Sequence, residues 1–320
     1  LVILDKSMTL KTLLKSARDS QHINLWSTEL VKAAYRLTGA PSGEWFVKHL
    51  PRRGTAVARL PNGLSMRLES EGDDWITNQV YWRGWTADEP EAAPLYFAFA
   101  KRSSVVMDIG AHVGLYSIIA SLANPAAHIY AFEPLQQTQD RMRVNLVKSS
   151  ATNVEVIPCA ISDLVGTSDL YCAHRGIALS SSLSLGFMTN SVTTPLIPIS
   201  VPVNTIDEFC RSRQIGGVDL IKLDIEGLEP QALRGMSTLF ATSRPPIFCE
   251  VLATSGTHAE LNLMIRQLGY NIFALTSRGP EEQQELEVAP SRRNYLFTMS
   301  SIEELRSLLS AVAAESAGRN

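Results

Sequence analysis

Val105-Val106-Met107-Asp108-Ile109-Gly110-Ala111-His112-Val113-Gly114 reads as a short apolar strand that ends in an acid and enters a turn with two glycines. Leu115, Ile118, Ile119 and Leu122 follow at the spacing of one helix face. Glycines let the backbone bend tightly and approach a ligand without a Cβ clash. The first turn of the helix adds free N–H groups. A dinucleotide fold would carry G-x-G-x-x-G here, with the middle glycine hugging a pyrophosphate. This segment has only G-x-x-x-G, so a nucleoside ligand without pyrophosphate fits better.

Outward from this turn, strands and helices alternate. Ile129–Phe132 and Val154–Ile157 read as strands, with a helix over 135–148 between them. Val218–Leu223, Ile247–Val251, Asn271–Leu275 and Tyr295–Met299 are later strands, and Gln231–Phe240 is a helix. Thr257-x-x-Glu260 and Ser301-x-x-Glu304 have the form of capping boxes for two late helices. The alternation predicts an α/β, Rossmann-like fold, a mostly parallel sheet with helices on both faces, over about residues 100 to 300. The rhythm breaks at 163–217, where Leu170-Tyr171 and Ile199–Val203 flank a stretch rich in Ser, Thr and Gly. That segment is expected as an insertion over the active face, where loops commonly bind ligands. Residues 1–60 read as helical with a loop, and 55–82 as short strands and turns around Pro61-Asn62-Gly63, followed by a tryptophan-rich segment. The expected division is an N-terminal extension over 1–80, serving as lid or homodimer contact, a catalytic domain over 81–300, and a helix and tail over 301–320.

Acids recur at strand ends, where open α/β sheets bind ligands. Asp108 would hold the amino-acid end of S-adenosylmethionine, beside Gly110, His112 and Gly114. Glu133, ending Tyr130-Ala131-Phe132-Glu133, can accept from two ribose hydroxyls, and Asp163 from an adenine amino group. Glu133 alone would also suit NAD, so an NAD-dependent oxidoreductase is the rival reading. A non-catalytic binding protein on the same fold is another.

Val218-Asp219-Leu220-Ile221-Lys222-Leu223-Asp224-Ile225-Glu226-Gly227 is the most unusual stretch. In a strand extending that far, Lys222, Asp224 and Glu226 share one side. Unpaired ions on an interior strand would cost several kcal/mol each, which favours a paired or ligand-facing cluster. Glu250 would lie at the mouth of the next strand. Asp224 is the first candidate base, with Glu226 and Glu250 as base or orienter, and Asp224, Glu226 and Glu250 together could instead hold a magnesium ion. The residues alone leave these roles open. Lys222 would pair with the acids or steady an acceptor oxygen. His174, Ser181 and Ser182 in the insertion are candidate acceptor contacts.

Bulk properties narrow the partners. A net charge of −3 argues against a broad grip on nucleic acid. The apolar runs fall short of the roughly 20 residues of a membrane span. Leu1–Leu4 is too short for a signal core, and Cys159, Cys172, Cys210 and Cys249 form no CxxC pair. Reduced thiols and a cytoplasmic location are the expectation.

Five segments together resemble the FkbM family of methyltransferases: Asp108–Gly114, Ala131-Phe132-Glu133-Pro134, Ala160-Ile161-Ser162-Asp163, Thr205-Ile206-Asp207 and Asp219–Gly227. The resemblance covers about residues 80–252 and implies an S-adenosylmethionine-dependent O-methyltransferase acting on a hydroxyl of a sugar, polyketide or other secondary metabolite. The glycine turn, Glu133 and Asp163 would match the family's cofactor positions. His112 stands where the family usually has Asn, and His174 lies near a position that is often Asn.

Overall fold

The computed structural model describes residues 20–38, 50–86, 89–173, 181–191, 193–287, 289 and 292–318. In chain order its first elements are α1 (Gln21–Thr38), β1 (Arg53–Arg59), β2 (Ser65–Glu71), α2 (Trp75–Arg83) and α3 (Ala93–Ala100). Next come β3 (Val105–Ile109), α4 (Leu115–Ala123), β4 (His128–Phe132), α5 (Gln136–Ser149), β5 (Val154–Ile157) and β6 (Ala160–Ile161). Then follow β7 (Gly166–Cys172), β8 (Ser181–Ser182), α6 (Leu185–Ser191), β9 (Ile197–Asn204) and α7 (Ile206–Arg213). The last part holds β10 (Leu220–Leu223), α8 (Glu229–Arg234), α9 (Ser237–Thr242), β11 (Ile247–Glu250), α10 (His258–Gln267), β12 (Asn271–Thr276), β13 (Gly279–Gln283), β14 (Asn294–Thr298) and α11 (Ile302–Ala317).

The central sheet has the order β13-β12-β14-β11-β10-β3-β4-β5. From β11 to β5 neighbouring strands run parallel, and β14 enters reversed between β11 and β12. The chain builds outward from β3 to β5, then returns to lay β10 on the other flank of β3. Such a reversal opens a crevice beyond the carboxyl ends of the two strands. Alternating side chains feed two apolar layers. Val106, Ile129 and Leu220 pack with Leu115, Ile118 and Met142 on one face. Met107, Phe132, Ile221 and Leu223 pack with Phe209, Leu233 and Leu261 on the other. Asp108 and Lys222 are register partners, and the strands' alternation turns both toward the first layer.

Most predicted elements are present, and three differ. The stretch at 75–83 is a helix because Asp74 caps it, accepting from Ile76 N and Thr77 N at 3.0 Å. The helix expected over 231–240 is two, α8 and α9. A Cβ on Gly235 would lie 2.3 Å from the Ser162 carbonyl, so the chain bends there against β6's exit. The Gly235 carbonyl instead accepts from Asp207 N at 3.0 Å. The third difference is β10, which ends at Leu223, so strict alternation stops at Lys222. Of the two late capping boxes, Ser301 forms the full reciprocal pair with Glu304, whereas Thr257 makes no side-chain cap bond.

The β1–β2 hairpin adds Met66 and Leu68 to the layer under α4 and α5, and Asn145 Oδ1 and Ser149 Oγ accept from its Glu69 and Arg67 amides. Within 163–217, β7, β8 and β9 join β6 in a second sheet of order β6-β9-β7-β8.

Asp207 also caps α9 from a distance, accepting from Thr238 N at 2.8 Å and Leu239 N at 2.9 Å. Asp207→Ala is expected to cost about 0.5–2 kcal/mol, the range of a lost helix cap. The check is the urea midpoint.

Candidate active site at the β3–β10 crevice

A cavity of about 260 Å3 lies beyond β3, β4 and β10. Gly110, His112, Glu133, Asp224, Glu226, Glu250, Ser181 and Ser182 all line it. Their elements meet because Gly110 has no side chain: a Cβ there would sit 1.9 Å from the Asp224 carbonyl oxygen. Gly110 N and Ala111 N donate to the Phe132 carbonyl at 3.0 and 2.9 Å, which ties the turn to β4. His112 follows at φ 50°, a left-handed conformation in which Asn, Asp and His are enriched. That explains how His stands where the family usually has Asn.

Glu133 is buried, and burial raises its carboxyl above the usual range, moderated by His112 and by backbone N–H groups. Oε2 accepts from His112 N at 3.1 Å and Oε1 from Leu135 N at 2.9 Å. Each carboxylate oxygen carries two lone pairs, so one acceptor site remains on each. Two adjacent acceptors beside the apolar walls of Phe132, Ala160 and Ile161 suit a ribose diol and its base.

On the opposite wall, Asp224 continues the ladder past β10, its N–H donating to the Ile109 carbonyl at 3.0 Å. Lys222 Nζ, only 3% exposed, reaches Asp224 Oδ2 at 3.1 Å and Glu89 Oε1 at 3.3 Å. Burial alone would depress the Lys222 ammonium, yet Asp224, Glu89 and Glu250 hold its pKa well above the ordinary value. Burial likewise would raise Asp224, but Lys222 and hydrogen bonds from Glu250 and Lys222 hold it low. Glu250 goes the other way, pushed up by burial and by the charges of Asp224 and Glu89. The two carboxyls therefore titrate as a pair that resists losing both protons, with Asp224 held low and Glu250 held high. Arg293 Nε lies 3.3 Å from Glu250 Oε1 at the cavity mouth.

Asp108, Gly114 and Asp163 stand apart from the cavity lining. Asp108 is 1% exposed and accepts from Ser117 Oγ at 2.6 Å, beneath the turn. Burial raises it to about 6, against Ser117 and Lys222. Gly114 begins α4 at φ 88°, and a Cβ there would lie 2.7 Å from Met142 Cγ. Asp163 turns its carboxylate to Arg234 Nε at 2.9 Å, so its segment reaches the cavity through Cys159, Ala160 and Ile161. Ser182 Oγ donates to the Glu226 carbonyl at 2.9 Å. His174 lies outside the described residues. Among the described residues, Asp224, Glu226 and Glu250 do not form a cluster of three groups able to hold a metal; an ammonium, Lys222, already bridges Glu89 and Asp224. Glu89, Arg293 and Trp75 also line the cavity and were missed from the sequence. Glu89 sits in the acidic, proline-containing run just after the tryptophan-rich segment, but its partner Lys222 is 133 residues away. Tyr116 Oη donates to the other Glu89 oxygen.

The methyltransferase FkbM domain profile matches residues 108–272, over half of the chain. The chain belongs to the FkbM methyltransferase family. It is an S-adenosylmethionine-dependent methyltransferase on a Rossmann-like α/β fold. It is similar to 31-O-demethyl-FK506 methyltransferase FkbM of Streptomyces tacrolimicus, 23% identical over 68% of this chain and 89% of that one. Hexuronic acid methyltransferase AglP of Haloferax volcanii is 28% identical over 47% of this chain and 56% of its own. The 2-O-methyltransferase NoeI of Sinorhizobium fredii is 26% identical over 42% of this chain and 58% of its own. No helix among the described residues of this FkbM-family methyltransferase is long and apolar enough to cross a membrane.

The Glu250 proton has a measurable consequence. Its pKa is raised in the fold, so the native state holds a proton that the unfolded chain releases above about pH 4.5. Stability from this group is full at low pH and declines as pH rises toward the folded pKa. Glu250→Gln removes that decline. Urea midpoints from pH 5 to 9 should fall less steeply in E250Q than in the parent.

Proposed function

We propose that this chain transfers a methyl group from S-adenosylmethionine to a hydroxyl of a small acceptor, of the sugar, polyketide or secondary-metabolite kind. The names of two relatives specify O-methylation, and that of a third a hexuronic acid. The observation that carries the reading is the Asp224 carboxyl, 3.1 Å from Lys222 Nζ, on the wall of the same cavity that Glu133 lines.

The bound donor supplies an electrophilic methyl group on a sulfonium. Glu133 holds the ribose diol with its two remaining acceptor sites. Cys159, Ala160 and Ile161 wall the base. Asp224 accepts the proton of the acceptor hydroxyl as it becomes a nucleophile, the kind of step that contributes about 10²–10⁴-fold. Lys222 keeps Asp224 ionised. Glu250, protonated, donates to Asp224 and orients it. Ser181 and Ser182 present the insertion to the acceptor side. Alignment of donor and hydroxyl supplies most of the remainder, a contribution of order 7–11 kcal/mol when geometry is fixed.

The test is transfer of label from S-adenosylmethionine to a panel of neutral glycosides, uronic acids and macrolide alcohols. Asp224→Asn is expected to lower kcat about 10²–10⁴-fold while S-adenosylhomocysteine still binds. Glu133→Gln is expected to weaken S-adenosylhomocysteine roughly tenfold or more, the scale of a lost hydrogen bond to a charged group. Undiminished turnover in D224N would remove Asp224 from the role of base. Label appearing only on a nitrogen or carbon acceptor would overturn O-methylation.

A further inference from the structure

The segment after β10 contains an acid that the mechanism leaves unused. Glu226 adopts φ 52° and Gly227 φ 93°, two left-handed residues in succession. For a residue with a side chain this is uncommon, and it persists only where the surroundings impose it. Three contacts impose it here. Ser182 Oγ donates to the Glu226 carbonyl at 2.9 Å, from the second sheet. Phe187 and Ser255 close on the Gly227 α-carbon so tightly that a Cβ would lie 3.2 and 3.3 Å from them. From beneath, Gly227 N donates to Glu229 Oε1 at 3.0 Å.

Glu229 is 1% exposed, and its other oxygen, Oε2, has no hydrogen-bond partner among the described residues. Backbone groups of Ile225, Gly227 and Glu229 itself converge on this carboxyl, an expensive arrangement unless the turn it ties down matters. Gly227 is itself buried, so without Glu229 its N–H would be stranded, and the turn would gain by reopening. Reopening would displace Glu226 and, through the short link to it, Asp224, both on the cavity wall.

We infer that Glu229 is a positioning residue for methyl transfer: by accepting the Gly227 N–H it locks the left-handed Glu226-Gly227 turn and so holds the Asp224 and Glu226 carboxylates against the acceptor. The inference rests on the proposed role of that wall in hydroxyl activation. Burial pushes the Glu229 carboxyl up to about 7. A carboxamide of the same length keeps the carbonyl acceptor, whereas a thioether of similar volume does not.

The experiment compares Glu229→Gln with Glu229→Met in the full chain. Amide hydrogen exchange over residues 224–228, S-adenosylhomocysteine affinity and kcat on an acceptor from the panel are measured for both. E229M is expected to exchange faster in that segment alone, to keep S-adenosylhomocysteine affinity within about twofold, and to lose roughly 10–100-fold in kcat, the scale of a small misplacement. E229Q should restore exchange protection and most of kcat. Parent-like exchange in E229M, equal impairment of both variants, or loss of S-adenosylhomocysteine affinity in step with kcat would overturn the inference. So would failure of E229M to fold while E229Q folds, because Glu229 would then serve stability alone. The exchange readout needs no acceptor, so its failure is distinct from failure of the hydroxyl reading, which shows in D224N.

Discussion

The missing side chain of Gly110 is the constraint from which the site follows. With only a hydrogen there, the Asp224 carbonyl occupies space that any Cβ would claim at 1.9 Å. Two loops from opposite sides of the sheet's reversal thereby touch through their backbones. One leads to Glu133 through the Phe132 carbonyl, the other to Asp224 and Glu226. Glu133 and Asp224 then face one cavity. Parallel pairing of β3 with β10 fixes the approach, since Lys222 and Asp108 stand side by side in register.

Charge balance makes the second constraint. Lys222 is buried, and an uncompensated ammonium there would be costly. Glu89 and Asp224 compensate it, while Glu250 stays protonated and Arg293 covers it at the mouth. Asp224 consequently remains ionised in a setting that would otherwise protonate it. Lys222 bridges Glu89 and Asp224, and among the described residues no three acids cluster closely enough to hold a metal ion.

Much of this was legible in the sequence because it is written locally. Short apolar runs gave away β3, β4 and β10, and acids at their ends marked Glu133 and Asp224 as lining residues. What is written over long range was not legible. Glu89 meets Lys222 only after the sheet assembles. Gly235 breaks a helix because of the Ser162 carbonyl, which no local pattern reveals. Asp163 looks like a nucleoside acceptor until Arg234 arrives beside it. Glu226 was assigned to the strand's polar side, yet the strand ends at Leu223 and the left-handed turn redirects it.

The central claim is that one cavity holds the donor between Glu133 and the Asp224 wall. A crystal structure with S-adenosylhomocysteine tests it most directly. The account predicts both ribose hydroxyls within about 3 Å of the Glu133 carboxylate and the sulfur facing Asp224. A ribose bound away from Glu133, or a sulfur turned from Asp224, would contradict it.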